Sequence, residues 1–485
     1  MIAGYCWPQS ALPGETVTLY CHSDAARFGF EIVRRGERER TVFESASLAG
    51  IAQPMPDDLA SQGCPWTASC EIAVDPAWPS GMYVLRLTDS DGERADAFFV
   101  VRAAEPADAM LVLSTSTWAA YNDWGGPSFY TGSHTSATRR PLPPGFLVKS
   151  DPERQRVAHF KRWSLEELEA YRAIGYSPWC IAAGYANWEY LFVRWAESRG
   201  WRLGFAVSQD LDRDRNLLDG WPAYLSVGHD EYWSEGMRDT VEGYVDAGGN
   251  AAFFSGNTAF WQVRFEDDYG RVIGYKNAIR DDPAYDPEGA PNLSTMWSDP
   301  LVGRPENGMT GVSFTRGGYA HMPNAPDGSG GYTVWRPKHW AFESLRHRYG
   351  DILGAAGTVV GYECDGCELE LRDGLPYSTG NDGTPQNFEV LGTAPARLWE
   401  TQDAPQIHES YIGELNWVAE RLGGGDTAEN RERFAAGRAV MGAFRRGRGE
   451  VFTTGCTDWA YGLGESDVAT VTTNVLERFV HGHGR

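Results

Sequence analysis

The chain has 485 residues, 42% hydrophobic and 22% charged, which suffices for two or three buried domains and excludes wholesale disorder. A formal net charge of -23, scattered instead of massed in a tail, argues against nucleic acid or an anionic membrane surface as partner. No run of about 18 apolar residues occurs, and MIAGYCWPQS has no basic region leading into an apolar one, so a soluble cytoplasmic protein is expected.

Residues 1–104 predict an antiparallel β-sandwich, because ETVTLYCHS, FGFEIVRRG, GMYVLRLTD and DAFFVVRA alternate with Pro, Gly and Asp turn clusters. AAEPADA reads as a short linker into an α/β domain over 105–485. There MLVLSTSTW is an apolar strand ending in a polar loop, and NWEYLFVRWAESRG is a helix with Trp188, Leu191, Phe192 and Trp195 on one face and Gly200 as its stop. WRLGFAV and YLSV are strands, SEGMRDTVEGYVDAGG is a helix capped by Ser234 and stopped at Gly248, and NAAFFSG is another strand. Such β-α-β alternation predicts a mostly parallel sheet with helices on both faces.

In such sheets ligands bind beyond the carboxyl ends of the strands. Four loops are expected to converge there, carrying Ser114, Thr117 and Tyr121, then Ser208 and Asp210, then His229 and Glu231, then Ser255 and Asn257. Residues 265–350, rich in Gly, Pro and Asp, read as long loops covering the sheet edge or the site. Strand patterns return in GTVVGYECDG, FEVLGTA and GEVFTTGCTDW, and VATVTTNVLERFVH closes as a helix.

Eight cysteines in so long a chain do not make a disulfide framework. Cys364 and Cys367 form a CxxC without the second pair that a zinc ribbon needs, and read as ordinary thiols on a hairpin. Cys64 and Cys70 could bond only in an oxidising compartment.

In GHDEYWS the glycine permits a sharp turn, and residues two apart in extended chain share a side, so His229 and Glu231 can face one crevice. A His-x-Glu pair alone is weak evidence, since a histidine after a strand often only binds a loop carbonyl. The chain offers no GxSxG elbow, no cysteine at a strand-to-helix turn and no phosphate-binding glycine fingerprint. HExxH is absent and the ten histidines are dispersed, so a metal that activates water would need oxygen donors, which suit a hard ion such as Fe(III).

Seven motifs in matching order carry a resemblance: WPSGMY (78–83), TWAAYNDWGG (117–126), FYTGSHTSATRRP (129–141), GHDEYWS (228–234), SGNTAFW (255–261), GYECD (361–365) and VFTTGCTDW (451–459). From about residue 75 onward the chain resembles the large (beta) subunit of N,N-dimethylformamidase. That resemblance implies an amidohydrolase acting on a small-molecule amide, with a mononuclear ferric iron (Fe) held by Tyr121, Tyr130 and Glu231. It makes His229 the catalytic imidazole and Glu363 a second catalytic carboxylate. Large subunits of that family work with a small partner subunit, and a homo-oligomer fits as well. Asn257 is expected to orient the tetrahedral oxyanion. Trp118, Trp124, Trp233 and Trp261, within or beside the motifs, point either to a larger apolar or planar substrate or simply to core filling under long loops. A rival reading takes the same sheet as a glutamine-amidotransferase-like scaffold that binds carbohydrate without metal, with His229 and Glu231 bonding sugar hydroxyls.

Overall fold

The computed structural model describes residues 1–152, 155–159, 165–403 and 413–482. Near the N-terminus, Ile2–Trp7, Thr16–Ser23 and Cys70–Ala73 form one antiparallel sheet. A second sheet runs Ser10–Ala11, Arg94–Val101, Gly81–Asp89, Arg27–Arg35, Glu39–Glu44, with Leu48–Ala49 beside Arg27–Arg35. The period of two decides which residues meet. Val17, Leu19 and Cys21 of the first sheet share a core with Phe30, Ile32, Leu85 and Phe99 of the second. The alternate residues Met82, Val84, Phe98 and Val100 face the other way and join the main core of the chain.

The main sheet is mixed, not mostly parallel as expected. Leu203–Val207, Ala109–Leu113, Ala223–His229, Asn250–Gly256 and Gly449–Thr453 lie side by side in parallel. Ala436–Arg446, Glu389–Arg397, Ser313–Tyr319 and Glu363–Gly366 then continue it antiparallel. Parallel pairing needs a crossover of a dozen residues or more. The tight turn at Gly447 and Arg448 leaves no room for one, so Ala436–Arg446 and Gly449–Thr453 pair as a hairpin. Helical elements cover both faces of the parallel half. Phe254 meets Phe192 of the helix Glu189–Ser198 and Trp459, whereas its neighbour Phe253 meets Tyr224, which contacts Trp233 just before the helix Glu235–Asp246.

The antiparallel half curls back on the parallel half. The backbone of Cys364 pairs with that of Cys456 in an isolated antiparallel bridge, and the Asp365 N–H donates to Gly455 O at 3.0 Å. Glycine permits this close passage: a Cβ on Gly256 or Gly455 would lie 2.6 or 2.9 Å from the carbonyl oxygen of Glu363 or Asp365, and within the antiparallel half a Cβ on Gly317, Gly366 or Gly437 would lie 1.8, 2.3 or 1.7 Å from a neighbouring carbonyl oxygen. SFTRGGY, expected as loop, is therefore the strand Ser313–Tyr319. Conversely TVVGY is irregular, and the strand that follows begins at Glu363 itself. All eight cysteines are free thiols, Cys64, Cys70, Cys364 and Cys367 included. No helix among the described residues is long and apolar enough to cross a membrane.

Glu189 opens its helix at 1% exposure, and neither carboxyl oxygen meets a well-aligned donor among the described residues. Burial, reinforced by Asp230 and opposed by its own backbone N–H, pushes its carboxyl up to about 8. A carboxyl that keeps its proton when folded but loses it near 4.5 when unfolded costs stability as pH rises between those values, with the full cost above about 8. Glu189→Gln should therefore be more stable than the parent by roughly 1–3 kcal/mol at about pH 8, an advantage that vanishes towards about pH 4. Denaturant titrations at the two pH values check this.

Candidate active site

Ala223–His229 is buried along its whole length and delivers the polar cluster at its carboxyl end. Gly228 has φ 80°, and a Cβ there would come within 2.4 Å of Trp188 Cβ. The turn it makes sends His229 and Glu231 to one side, with Nε2 and Oε2 3.3 Å apart. Asp230 turns away and accepts from Ser226 Oγ at 2.7 Å. Its carbonyl accepts the Ala259 N–H at 2.8 Å, tying this loop to the one that follows Asn250–Gly256. The two carboxylates of GHDEYWS thus do different work: one enters the site and the other fastens its loops.

Ser114–Tyr121, expected to open a polar loop, instead leads into the buried helix Thr115–Tyr121. Serine and threonine have modest helix propensity, but here their hydroxyls are used in the interior. Ser116 Oγ donates to Tyr232 O at 2.6 Å, and Thr117 Oγ1 accepts the Glu231 N–H at 3.0 Å. Tyr121, the last helical residue, donates to Glu231 Oε2 at 2.9 Å. The chain returns with Tyr130, whose hydroxyl lies 2.6 Å from Tyr121 OH, 3.0 Å from Glu231 Oε2 and 2.8 Å from Tyr232 OH. Arg140, at 2% exposure, holds the intervening loop through Asn122 O at 2.8 Å and Trp124 O at 2.7 Å. Burial, reinforced by Glu231, drives both site phenols well above their ordinary range. They therefore hold their protons unless a cation replaces them.

On the other flank, His229 Nδ1 lies 2.7 Å from Ala182 O, so this nitrogen carries a proton and the ring orientation is fixed. Nε2 lies 2.6 Å from Glu363 Oε2. Burial alone would lower the imidazole, but Glu363, and then Glu231, push it up to about 9. Glu231 itself is raised by burial against the pull of His229. Asn257, at φ 48°, donates from Nδ2 to Glu363 Oε2 at 3.1 Å. Its Oδ1 is buried and meets no partner among the described residues.

Tyr121, Tyr130, Glu231, His229, Glu363 and Asn257 thus gather at one site, five of them on the wall of a cavity of about 30 Å³, room for about two water molecules. Ser208 and Asp210, expected to converge with them, do not line it: Ser208 Oγ bonds Ser116, and Asp210 accepts from Ser10 Oγ at 2.7 Å, linking the sheet to the N-terminal strands. Nor does Ser255, whose hydroxyl lies 2.9 Å from Ser226 Oγ. Of the four tryptophans singled out, only Trp261 faces the cavity. Trp118 packs on Phe98, Trp124 on Trp66 and Trp233 on Tyr224. Trp179 and Trp399 also belong to the aromatic wall, with Phe260, Phe314, Tyr319 and Tyr362. Lys276 carries no motif, yet its Nζ sits 3.7 Å from the Tyr130 ring centroid and 5.1 Å from that of Trp261, inside the same wall. Tyr232 is the other unheralded member, and its place beside Glu231 in the motif is the only signal for it.

Among the described residues no three His, Cys, Asp or Glu side chains gather as a metal set. A cation at this site would have to be held by phenol oxygens together with Glu231. Gly228 is the mechanical weak point. Gly228→Ala adds a strained φ and a collision with Trp188, and should destabilise the fold by about 2–4 kcal/mol. The midpoint of denaturant unfolding measures this.

A family model described as N,N-dimethylformamidase beta subunit-like, C-terminal, matches residues 23–472. The N,N-dimethylformamidase beta subunits of Alcaligenes sp and Paracoccus aminophilus are each 21% identical over 453 residues, covering 86% of this chain and 54% of theirs. The chain therefore spans about half the length of these curated relatives. Among solved structures, a Paenibacillus cycloisomaltooligosaccharide glucanotransferase overlaps 25% of this chain and 18% of its own, at 10% identity and a TM-score of 0.15, a likeness that carries no argument.

Proposed function

The chain belongs to the N,N-dimethylformamidase beta subunit-like family, and on that premise we propose that it hydrolyses the C–N bond of a small amide with the help of a ferric ion. The observation that carries this reading is the meeting of two phenols and a carboxylate beside a His–Glu pair. The donor set fits the ion. Tyr121 OH, Tyr130 OH and Glu231 Oε2 are separated by 2.6, 2.9 and 3.0 Å. Neighbouring oxygen ligands of a small cation with ~2.1 Å bonds stand about 3 Å apart. Phenolate and carboxylate are hard donors, as Fe(III) prefers. When bound, the ion supplies Lewis-acid polarisation of the amide carbonyl and acidifies water.

The remaining work falls to the side chains of this chain. With Nδ1–H held by Ala182 O, His229 exchanges protons through Nε2, which meets Glu363 of the cavity wall. Imidazolium and Glu363 form the resting pair, so Glu363 accepts the proton of the attacking water and Nε2–H delivers one to the leaving nitrogen. One proton enters the pair and one leaves, which returns it to its starting state. The aromatic wall and the small cavity exclude bulk water and suit small apolar substituents. The relatives are named as beta subunits, which supports assembly with a further subunit for this chain as well.

Purified protein is expected to hold about one iron per chain and to show a visible tyrosinate-to-iron band. Glu231→Ala should lose iron and activity together, while His229→Ala keeps the iron and loses turnover; metal analysis beside kcat separates them. Zinc alone, or no stoichiometric metal, would sink the reading in favour of a binding module. Glu363→Gln should keep the band and lower kcat by at least ~10², and adding His229→Ala should cost little more, since the two act as a unit. Losses that simply multiply would remove Glu363 from the proton pathway.

A further inference from the structure

Glu414 is the third carboxyl group on the cavity wall, half-buried where Glu231 and Glu363 are each 3% exposed. It has no task in the phenol–carboxylate donor set or in the His229–Glu363 pair. The residue opens the helix Glu414–Gly423, and its Oε1 accepts the Tyr319 hydroxyl at 3.2 Å. The Tyr319 ring in turn stacks on Trp399 with centroids 4.1 Å apart and meets Phe314 edge-on at 5.4 Å. All three rings belong to the same wall. A carboxylate set among ring faces suits an organic cation, because the faces attract its charge and its alkyl groups leave water. The opposite charge, Lys276, lies over the Tyr130 ring at 3.7 Å, so the wall is cationic beside the phenols and anionic beside Tyr319.

Hydrolysis of an amide gives two products of opposite charge at neutral pH, a carboxylate and an amine that, like the lysine side chain, takes up a proton. We infer that Glu414, with the ring faces of Tyr319 and Trp399, binds the alkylammonium product as it leaves the cavity. This rests on the amide-hydrolase reading above and adds to it a site for the departing amine. Charge is what the site requires of residue 414, since a carboxamide there could still accept the Tyr319 hydroxyl.

Dimethylammonium and propan-2-ol, a neutral molecule of similar size, test this by calorimetric titration of the purified protein as isolated, at matched ionic strength. Wild type should bind dimethylammonium at least about tenfold more tightly than propan-2-ol. Glu414→Gln should lose about tenfold in affinity for the cation and keep its affinity for the alcohol. Tyr319→Phe removes the hydrogen bond but keeps the ring and the charge, so it should bind the cation within about threefold of wild type. Equal affinity of wild type for both molecules, unchanged cation binding in Glu414→Gln, or an equal loss in Tyr319→Phe, as a merely structural contact would give, overturns the inference. Cleavage of N,N-dimethylformamide is read separately. Cleavage without cation binding through Glu414 overturns this inference alone, whereas cation binding without cleavage of any formamide overturns the amide reading and, with it, the assignment of the cation as product.

Discussion

Glu231 and Glu363 bring two carboxylates within 3.3 and 2.6 Å of a single imidazole nitrogen, in a site where all three side chains are at most 4% exposed. Taking such charges out of water is expensive unless each is met by a partner. The partners are specific. Glu363 has the imidazole and the Asn257 amide, while Glu231 has the two phenols and a share of the same imidazole. Lys276 adds a positive charge above the Tyr130 ring. Much of the surrounding architecture is the means by which groups from distant parts of the chain are made to meet here.

The two halves of the main sheet make separate contributions. Register in the parallel half sets His229 opposite Gly256, so the loops bearing His229 and Asn257 are neighbours by construction. A parallel half alone has no element carrying Glu363. Curling the antiparallel half until Cys364 faces Cys456 returns that strand to the carboxyl ends of the parallel strands, and Glu363 is its first residue. The glycines at 256 and 455 are the cost of that closure, because no side chain fits where those backbones meet the Glu363 strand.

Local signals made the parallel half legible. The cap at Ser234, the positive φ at Gly248 and the apolar face of Glu189–Ser198 are short-range features, and the helices and strands fall where those signals put them. Long-range closure leaves no such mark. SFTRGGY reads as loop because its glycines serve contacts with residues far along the chain, and Thr115–Tyr121 reads as loop because its hydroxyls find their partners only in the folded interior. Motif resemblance and the position of strand ends point to the six candidate side chains. Lys276, Tyr232 and Arg140 act through ring faces, a third phenol and loop carbonyls, and no spacing in the chain encodes those relations.

Geometry also separates the two glutamates, which look alike in composition. Glu231 shares its oxygens with Tyr121 and Tyr130 at 2.9 to 3.1 Å, so a proton placed on it would compete with both phenols. Among the described residues, Glu363 Oε2 meets the imidazole at 2.6 Å and the Asn257 amide at 3.1 Å. The shorter of these contacts joins Oε2 to the imidazole. Because the ring cannot turn without giving up Ala182 O, that contact has one direction, between Nε2 and Oε2. On the proposed reading, proton traffic would run along the shorter of the two imidazole contacts, between His229 and Glu363, with Glu231 turned chiefly to the phenols.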